Sequence, residues 1–303
     1  MANAKEIKRK IWSIKNTWKI TKAMELISTV KMKKAQNLAN WKKSFVTEIL
    51  KVFYRIEDSF EWSKFFKQRE GDKKLVVLVT SNKGLCWGYN VNVMKEVNKY
   101  IKENKIDEQS LDFVALGKKW AQFVVRTGNN LIADFSWDFT DDLWDEFIKS
   151  VSDLVLEKYL EWEYNEVVIF YNYFQNTMSQ IVVKDSFLPI KKENIFEYLL
   201  KITGKTKEEI FNPWAGKDEY EIEPSEAELV DTVIPMVLRM MIYDKLLEAK
   251  ASEHSSRMIA MKNAKESSKK IADKLTLKYN NARQAAITRE VSEIVSGVES
   301  MKD

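Results

Sequence analysis

The chain has 303 residues, of which 45% are hydrophobic and 31% are charged, and its formal net charge is +4. This length can hold one large domain or two ordinary ones, and the hydrophobic fraction is enough for a core. A single cysteine, Cys86, excludes a disulfide framework and a cysteine-rich metal site. The charged start MANAKEIKRK does not match a secretory signal, and no apolar run reaches the roughly 18 residues of a membrane span.

The N-terminal segment, residues 1–70, is predicted to be a coiled-coil helix. Neither glycine nor proline, the strongest breakers of regular structure, occurs between Ala2 and Glu70. Apolar or small residues recur at alternating steps of four and three, with an interruption at Glu25. These seam residues are Ile7, Ile11, Ile14, Trp18, Thr21, Ser28, Met32, Ala35 and Ala39.

The middle of the chain, residues 73–215, is predicted to be a Rossmann-like α/β domain. The segments KKLVVLVT, LDFVALG and NEVVIFYNYF are short, apolar and β-rich, and helical patterns lie between them. Strands that alternate with helices indicate a mostly parallel sheet with helices on its faces. The segment TMSQIVVKDSFLP predicts an antiparallel edge strand.

The segment SNKGLCWGYN, residues 81–90, follows the first predicted strand and carries two glycines. It lacks the Lys-Ser or Lys-Thr that a P-loop needs after Gly88, and its glycine spacing differs from G-x-G-x-x-G. We therefore interpret it as a tight strand-to-helix turn that needs small residues for packing, with no nucleotide bound there.

The C-terminal segment, residues 225–303, is predicted to be a second long helix that pairs antiparallel with residues 1–70. After Pro235 the chain has no proline and a single glycine, Gly297, so residues 236–301 are predicted to be one helix. Its seam, again with a gap, consists of Ala251, Met258, Met261, Ala272, Leu275, Tyr279, Ala282 and Ala286.

Basic residues are concentrated near both ends of the chain. Residues 1–45 contain twelve Lys or Arg against two acids, and residues 250–290 contain ten against four. Residues 134–166 show the opposite bias, with eleven acids against two lysines. Single lysines of this kind are typical of solvated helix faces, but the clustering at both ends favours a shared acidic partner.

No catalytic or metal site is predicted. His254, the single histidine, lies in the C-terminal helix, where an isolated histidine is typical of a surface or seam position. Cys86 is predicted to be a buried small hydrophobic residue. The adjacent Asp141 and Asp142 are predicted to lie at a helix N-terminus, where acids are favoured. The sequence predicts no cofactor.

Both ends of the chain resemble one known family. The segment AKEIKRKIWSIKNTWKITKAMELISTVKMKKAQ closely resembles the N-terminal helix of the gamma subunit of F-type ATP synthase. The segment ASEHSSRMIAMKNAKESSKKIADKLTLKYNNARQAAITREVSEIVSG resembles its C-terminal helix. SNKGLCWGYN and YNYFQNTMSQ resemble its glycine-rich turn and a later strand, so the similarity covers nearly the whole chain in the same order.

The resemblance implies a rotor of the central stalk, without a catalytic site of its own. The coiled coil would enter the hexamer of alpha and beta catalytic subunits, and the α/β domain would lie near the epsilon subunit and the ring of c subunits. Proton or sodium flow would turn the ring and the rotor with it. The resemblance also implies a bacterial protein held peripherally on the cytoplasmic side of the inner membrane.

The family's contacts with the catalytic hexamer are carried over by matching motifs. Met24 in KITKAME and Arg257 in ASEHSSRM correspond to positions near an acidic lever of the beta subunits. Contacts with loops of the catalytic subunits correspond to Arg283, Gln284, Thr288, Glu290 and Glu293. For each of these residues the alternative is an ordinary position on a helix, and for Met24 it is coiled-coil packing.

Tryptophan is abundant and glycine is scarce, with ten Trp and eight Gly. The family commonly has glycine at the positions of Trp87, Trp120 and Trp162, and Trp18 and Trp137 fit the same pattern. Glycine reaches the backbone angles of tight turns cheaply and tryptophan does not. We therefore predict that the source organism reads UGA codons as glycine and that some tryptophans of this sequence arise from translating UGA as tryptophan. Real substitution by tryptophan is the alternative.

Two other classes of function remain open from the residues. A nucleic-acid-binding protein would need an exposed charged face with arginine or aromatic contacts to bases, whereas lysine dominates here. A nucleotide-dependent enzyme would need the α/β domain to bind ATP. Co-purification with alpha and beta subunits would exclude the first, and titration with ATP would test the second.

Overall fold

The computed structural model describes residues 2–40, 46–49, 52, 63–161, 163–204, 206, 225–299 and 301. In chain order the elements are α1 (Ala2–Asn40), β1 (Lys74–Val79), α2 (Trp87–Glu103), a 3-10 turn (Glu108–Ser110), β2 (Leu111–Leu116), α3 (Lys118–Thr127), β3 (Asn130–Asp134), α4 (Asp145–Leu160), β4 (Glu166–Phe174), β5 (Gln180–Leu188), α5 (Lys192–Thr203) and α6 (Glu226–Glu299). The chain divides into two compact units: residues 1–29 with 257–303, which we call the two-helix unit, and residues 30–256, the sheet unit.

In the two-helix unit, α1 and α6 form the predicted antiparallel coiled coil. Thr21 and Ser28 on α1 are buried, as are Met261, Ser268 and Ala272 on α6. Because these side chains recur at the coiled-coil spacing and most are small, the helices can approach closely along one seam. The burial of Thr21, Ser28, Met261 and Ala272 agrees with the predicted seams.

The first long helix does not reach the predicted end of its segment, whereas the second one does. α1 ends at Asn40, residues 46–49 and 52 are again helical, and residues 63–70 form a turn and irregular structure, although the sequence predicts helix up to Glu70. The lack of Gly and Pro permits a helix without requiring one. α6 runs from Glu226 to Glu299 and continues through Pro235, in agreement with the predicted segment 225–303. The glycine and proline pattern by itself indicated a helix only from residue 236. Residues 41–45, 50–51, 53–62 and 207–215 of the predicted segments lie outside the described residues.

Burial explains why α6 accommodates a proline that costs roughly 3 kcal/mol inside a helix. Ile234, Val237 and Leu238, which flank Pro235, are completely buried in the core of the sheet unit. Each such side chain contributes roughly 1.5–3 kcal/mol when it is removed from water. Packing of this face therefore outweighs the lost backbone hydrogen bond.

The sheet of the sheet unit has five strands in the order β3-β2-β1-β4-β5. β1 pairs in parallel with β2 and β4, and β2 in parallel with β3, whereas β5 runs antiparallel to β4. This arrangement confirms the predicted mostly parallel sheet with an antiparallel edge strand. The prediction missed β3, whose NLIAD segment is short and only partly buried, and it missed α5.

Side chains of β1 alternate between two cores, one on each face of the sheet. Val77 packs on the face covered by α4, α5 and the first half of α6, with Val151 and Leu238 among its cluster. Val76 packs on the opposite face with residues of α2 and α3, including Val93 and Val124. This period of two along a strand explains why all of β1 from Leu75 onward is apolar.

The glycines of the turn after β1 do not have the role predicted for them. A Cβ at Gly84 or Gly88 would meet nothing within 4 Å, so packing does not require glycine at either position. The left-handed conformation in this turn is adopted by Leu85, with a φ of 67°. Glycine is required instead at Gly117, after β2, where φ is +125° and a Cβ would lie 2.2 Å from the Thr80 carbonyl oxygen.

At two of the positions where we expect glycine, tryptophan lies in a helix, so the backbone argument for glycine there is wrong. Trp87 begins α2 and Trp120 lies in α3, and neither is among the described residues with positive φ. Trp87 and Trp137 are more than 80% exposed. Trp120 is buried beside Phe123, and its indole Nε1 has no hydrogen-bond partner in the part of the chain that the structure describes. Trp162 lies outside the described residues.

Among the described residues, none of the helices combines the length and the apolar character that crossing a bilayer would demand.

Candidate partner-binding surface

A charged pair occupies the seam of the two-helix unit where both apolar patterns are interrupted. Lys265 Nζ on α6 lies 2.5 Å from Glu25 Oε2 on α1. The two side chains are 25% and 18% exposed, so the pair is largely shielded from solvent. The sequence shows the gap in each helix separately. Whether the two gaps face each other depends on the pairing register of the helices, which the pattern of one helix does not specify.

The two residues carried over as neighbours of the acidic lever differ in exposure. Met24 is half-buried beside the seam residue Glu25. Arg257 is 6% exposed within this chain, so it is not the open surface position that the helix pattern allowed. Their contact with a beta subunit stays a prediction.

The five residues carried over near the C-terminus of α6 all lie on exposed helix. Arg283, Gln284, Thr288, Glu290 and Glu293 are each exposed in this chain. Gln284 and Thr288 are four residues apart, so they lie on one face of the helix. Glu293 also faces Arg289, with 3.8 Å between the carboxylate oxygen and the guanidinium nitrogen.

Apolar side chains alternate with these polar ones. Large exposed hydrophobic residues in this stretch are Ile287, Val291, Ile294 and Val295, each at least half exposed. We call residues 283–295 the tip surface. Clustered exposed apolar groups rimmed by polar groups are typical of a surface that binds another protein.

Exposed lysines also lie along the rest of the two-helix unit. They are Lys5, Lys8, Lys10, Lys15, Lys19 and Lys22 on α1 and Lys262, Lys269, Lys270, Lys274 and Lys278 on α6. Lys22 lies 5.2 Å from the ring centroid of Trp18, and Lys10 pairs with Glu6 at 2.7 Å. A surface of this charge attracts acidic partners through interactions that salt screens and that exchange easily.

Part of the N-terminal positive charge is neutralised inside the sheet unit. Lys31 pairs with Asp141 and Lys34 pairs with Asp142. Both aspartates lie in the loop between β3 and α4, and α4 begins only at Asp145. The predicted position of the two acids at a helix N-terminus is therefore wrong, because they pair with α1 instead of capping α4.

His254 is part of the same charged cluster. It is 4% exposed, and its Nε2 lies 2.8 Å from Asp141 Oδ1. Because an ionised carboxylate only accepts hydrogen bonds, Nε2 is the donor. This hydrogen bond, opposed by burial and supported by Lys31, lowers the pKa of the Asp141 carboxyl far below its usual value. The histidine therefore connects α6 to the loop after β3, a role that its position in a helix did not indicate.

Polar groups of the glycine-rich turn are used within the chain. Asn90 Oδ1 accepts from the Ser81 backbone N–H at 3.0 Å, and Asn90 Nδ2 donates to Ser81 Oγ at 2.8 Å. Asn82 Nδ2 donates to the carbonyl oxygens of Ser136 and Phe139 at 2.7 and 2.9 Å. Cys86 is buried, as predicted. The contacts of Asn82 hold the turn against the loop between β3 and α4. The turn therefore has a structural role.

In the described ranges, His, Cys, Asp and Glu side chains do not gather in groups of three or more that could hold a metal ion.

Comparison with known proteins identifies the family. The ATP synthase family model matches residues 3–301. The chain is 35% identical over 310 residues to the ATP synthase gamma chain of Geobacter metallireducens and 36% identical over 308 residues to that of Flavobacterium psychrophilum, with full coverage of both chains in each case. The chain belongs to the ATP synthase gamma-chain family. Members of this family are subunits of an enzyme complex.

Solved structures of ATP synthase chains show the same fold independently. A chain of the Euglena gracilis mitochondrial ATP synthase in rotational state 3 superposes with a TM-score of 0.63 at 16% identity, covering 99% of this chain and 95% of that chain. A rotor chain of the same enzyme in rotational state 1 gives a TM-score of 0.59 at 14% identity, covering 94% and 99%. At these identities the likeness concerns the fold, which agrees with the predicted fold class.

Proposed function

We propose that the chain transmits rotation in the central stalk of an F-type ATP synthase and has no catalytic site of its own. The gamma-chain family match across residues 3–301 carries this proposal, together with the paired terminal helices. ATP is made or hydrolysed in the hexamer of alpha and beta subunits, while this chain changes their conformations as it turns.

The proposed division of labour follows the predicted segments 1–70, 73–215 and 225–303. The coiled coil enters the hexamer, where its lysines slide past acidic loops of the beta subunits. The α/β domain binds the epsilon subunit and the c-subunit ring. The ring's proton or sodium flow drives the rotation, and the chain is held peripherally at the cytoplasmic side of a bacterial inner membrane.

The tip surface supports a bearing-like contact with the hexamer. Its polar residues include Arg283, Gln284 and Thr288, and its apolar residues include Ile287 and Val291. Exposed groups of modest size offer many weak contacts and no deep pocket. Such contacts exchange as the shaft turns, whereas buried ion pairs would resist rotation.

Purification of the tagged full-length chain from its own host tests the proposal. We expect alpha, beta, epsilon and c subunits to co-purify, and we expect ATP hydrolysis by the complex to rotate a bead attached to this chain. Titration of the isolated full-length chain with ATP is expected to give no heat of binding. Micromolar ATP binding by the chain without its partners, or recovery of nucleic acid in place of alpha and beta, would contradict the proposal.

A further inference from the structure

The seam of the two-helix unit is almost entirely apolar or small, with a charge on each helix as the exception. On α1 the seam runs through Trp18, Thr21 and Ser28, and on α6 through Met261, Ser268 and Ala272. Steps of four and three lead from Thr21 to Glu25 and on to Ser28, so Glu25 occupies a seam position of α1. The same steps from Met261 lead to Lys265, which occupies a seam position of α6.

We propose that the Glu25–Lys265 pair sets the pairing register of the two helices. Its atoms lie 2.5 Å apart across the seam, and both side chains are at least three-quarters shielded. Small seam residues such as Thr21, Ser28 and Ala272 fit against one another in several alignments, so they specify the register weakly. A charged pair fits in one alignment.

The alternatives that the pair excludes can be named. Sliding α6 by one heptad in one direction brings Ala272 opposite Glu25. Sliding it the other way brings Met258 opposite Glu25 and Trp18 opposite Lys265. Each slip leaves a carboxylate and an ammonium group without a partner in a seam, and an unpaired shielded charge is strongly unfavourable. A buried polar residue at a seam position is a well-attested way to specify coiled-coil register.

Register matters here because it decides which residues of α1 and α6 lie at the same height. A slip of one heptad moves the helices by about 10 Å relative to each other, at ~1.5 Å rise per residue. Different lysines of α1 and α6 would then lie side by side at a given height along the coiled coil. The inference concerns this chain's own seam and does not depend on the proposed rotary function.

Distances between two spin labels, measured by pulsed electron–electron double resonance on the full-length chain, test the inference. Nitroxide labels are placed at two exposed positions, through Lys15→Cys and Lys262→Cys, after Cys86→Ser removes the native thiol. The unaltered pair is expected to give one distance. Lys265→Glu, which places two carboxylates together, is expected to add a second population displaced by several ångström and to lower the melting temperature. The swap Glu25→Lys with Lys265→Glu is expected to restore the single distance.

Two further variants separate register from stability. The double variant Glu25→Leu with Lys265→Leu removes both charges from the seam; we expect an unchanged or raised melting temperature together with a broadened distance distribution. Lys269→Glu makes the same charge change as Lys265→Glu on the exposed face of α6 and is expected to change neither quantity. A single native distance in both the leucine variant and Lys265→Glu would overturn the inference, as would a swap that fails to restore it.

Discussion

At the scale of single residues, Asp141 accepts bonds from two helices at once. Lys31 of α1 and His254 of α6 both approach its carboxylate from within the sheet unit, and Lys250 donates to the carbonyl oxygen of the nearby Phe139 at 3.3 Å. The loop between β3 and α4 thereby contacts both α1 and α6 within the sheet unit.

Replacing Asp141 by asparagine tests this connection. The hydrogen bond from His254 lowers the pKa of the Asp141 carboxyl, so the charged form stabilises the fold at pH values above the unfolded pKa of about 3.9. That contribution is lost as the pH falls toward the folded pKa. We expect Asp141→Asn to lower the free energy of unfolding by about 1–3 kcal/mol at pH 7, measured by denaturant titration.

The difference between Asp141→Asn and the unaltered chain should shrink as the pH is lowered below about 4. Asp142→Asn is the matched control, because the Asp142 side chain is 69% exposed in its pair with Lys34. It is expected to cost about 0.5 kcal/mol or less. Equal effects of the two variants at pH 7 would show that the bond to His254 adds nothing.

Gly117 and Gly88 form a second residue-level comparison. Gly117→Ala places a Cβ against the Thr80 carbonyl oxygen at a positive φ, so we expect a loss of at least about 2 kcal/mol in the free energy of unfolding. Gly88→Ala, in the first turn of α2 and facing open space, should stabilise the chain by about 0.5–1 kcal/mol. Thermal unfolding of both variants measures this, and a reversed order would contradict the assignment of the required glycine.

Position 87 tests the codon prediction. Trp87 is 81% exposed, so no packing in this chain requires its large side chain. We expect peptides from the natural protein that contain position 87 to have the mass of glycine there. Peptide mass spectrometry decides between the two residues, and a tryptophan mass at 87 would end the hypothesis. The buried position 120 gives an independent measurement on the same digest.

At the scale of elements, the coiled coil depends on small residues as much as on apolar ones. Ser268 and Ala272 are buried at 7% and 6% exposure on α6, and Thr21 and Ser28 face the same seam from α1. Their size, together with the Glu25–Lys265 pair, determines how closely the helices approach and in which register.

A larger side chain at a seam position should increase the distance between the two helices. We expect Ala272→Leu to lower the free energy of unfolding by about 1–3 kcal/mol, because the extra atoms overfill a packed contact. Lys274→Leu adds a leucine two residues away on the exposed face and is expected to stay within about 0.5 kcal/mol of the unaltered chain. Circular dichroism during thermal unfolding compares them, and an Ala272→Leu chain as stable as the control would contradict close packing at this seam.

At the scale of the whole molecule, partner contact and internal stability can be separated by exposure. Arg283 is exposed on the tip surface, whereas Arg257 is buried within the chain. Both are carried over from the family as contacts of the catalytic hexamer, yet loss of their side chains should have different consequences.

We expect Arg283→Ala to leave the free energy of unfolding of the chain within about 0.5 kcal/mol of the unaltered value. In complexes assembled with alpha and beta subunits it should lower ATP-driven rotation or hydrolysis several-fold. Arg257→Ala should lower the stability of the isolated chain as well, by about 1–3 kcal/mol. Denaturant titration and a rotation assay give both values, and a destabilised Arg283→Ala chain would place that residue in the fold instead of at a partner.

The sequence by itself determined the periodic features of this protein: the seams of α1 and α6, the apolar strands β1, β2 and β4, the antiparallel β5 and the family. Such features are local, because side-chain spacing at a period of two or of 3.5 follows from the geometry of one element. The contacts of the charged residues were decided by tertiary structure. Glu25 with Lys265, and Asp141 with His254, are 240 and 113 positions apart, so only the folded chain brings each pair together. The same holds for glycine: the two conspicuous ones at 84 and 88 face open space, while Gly117 is required because Thr80, from a neighbouring strand's end, lies against it.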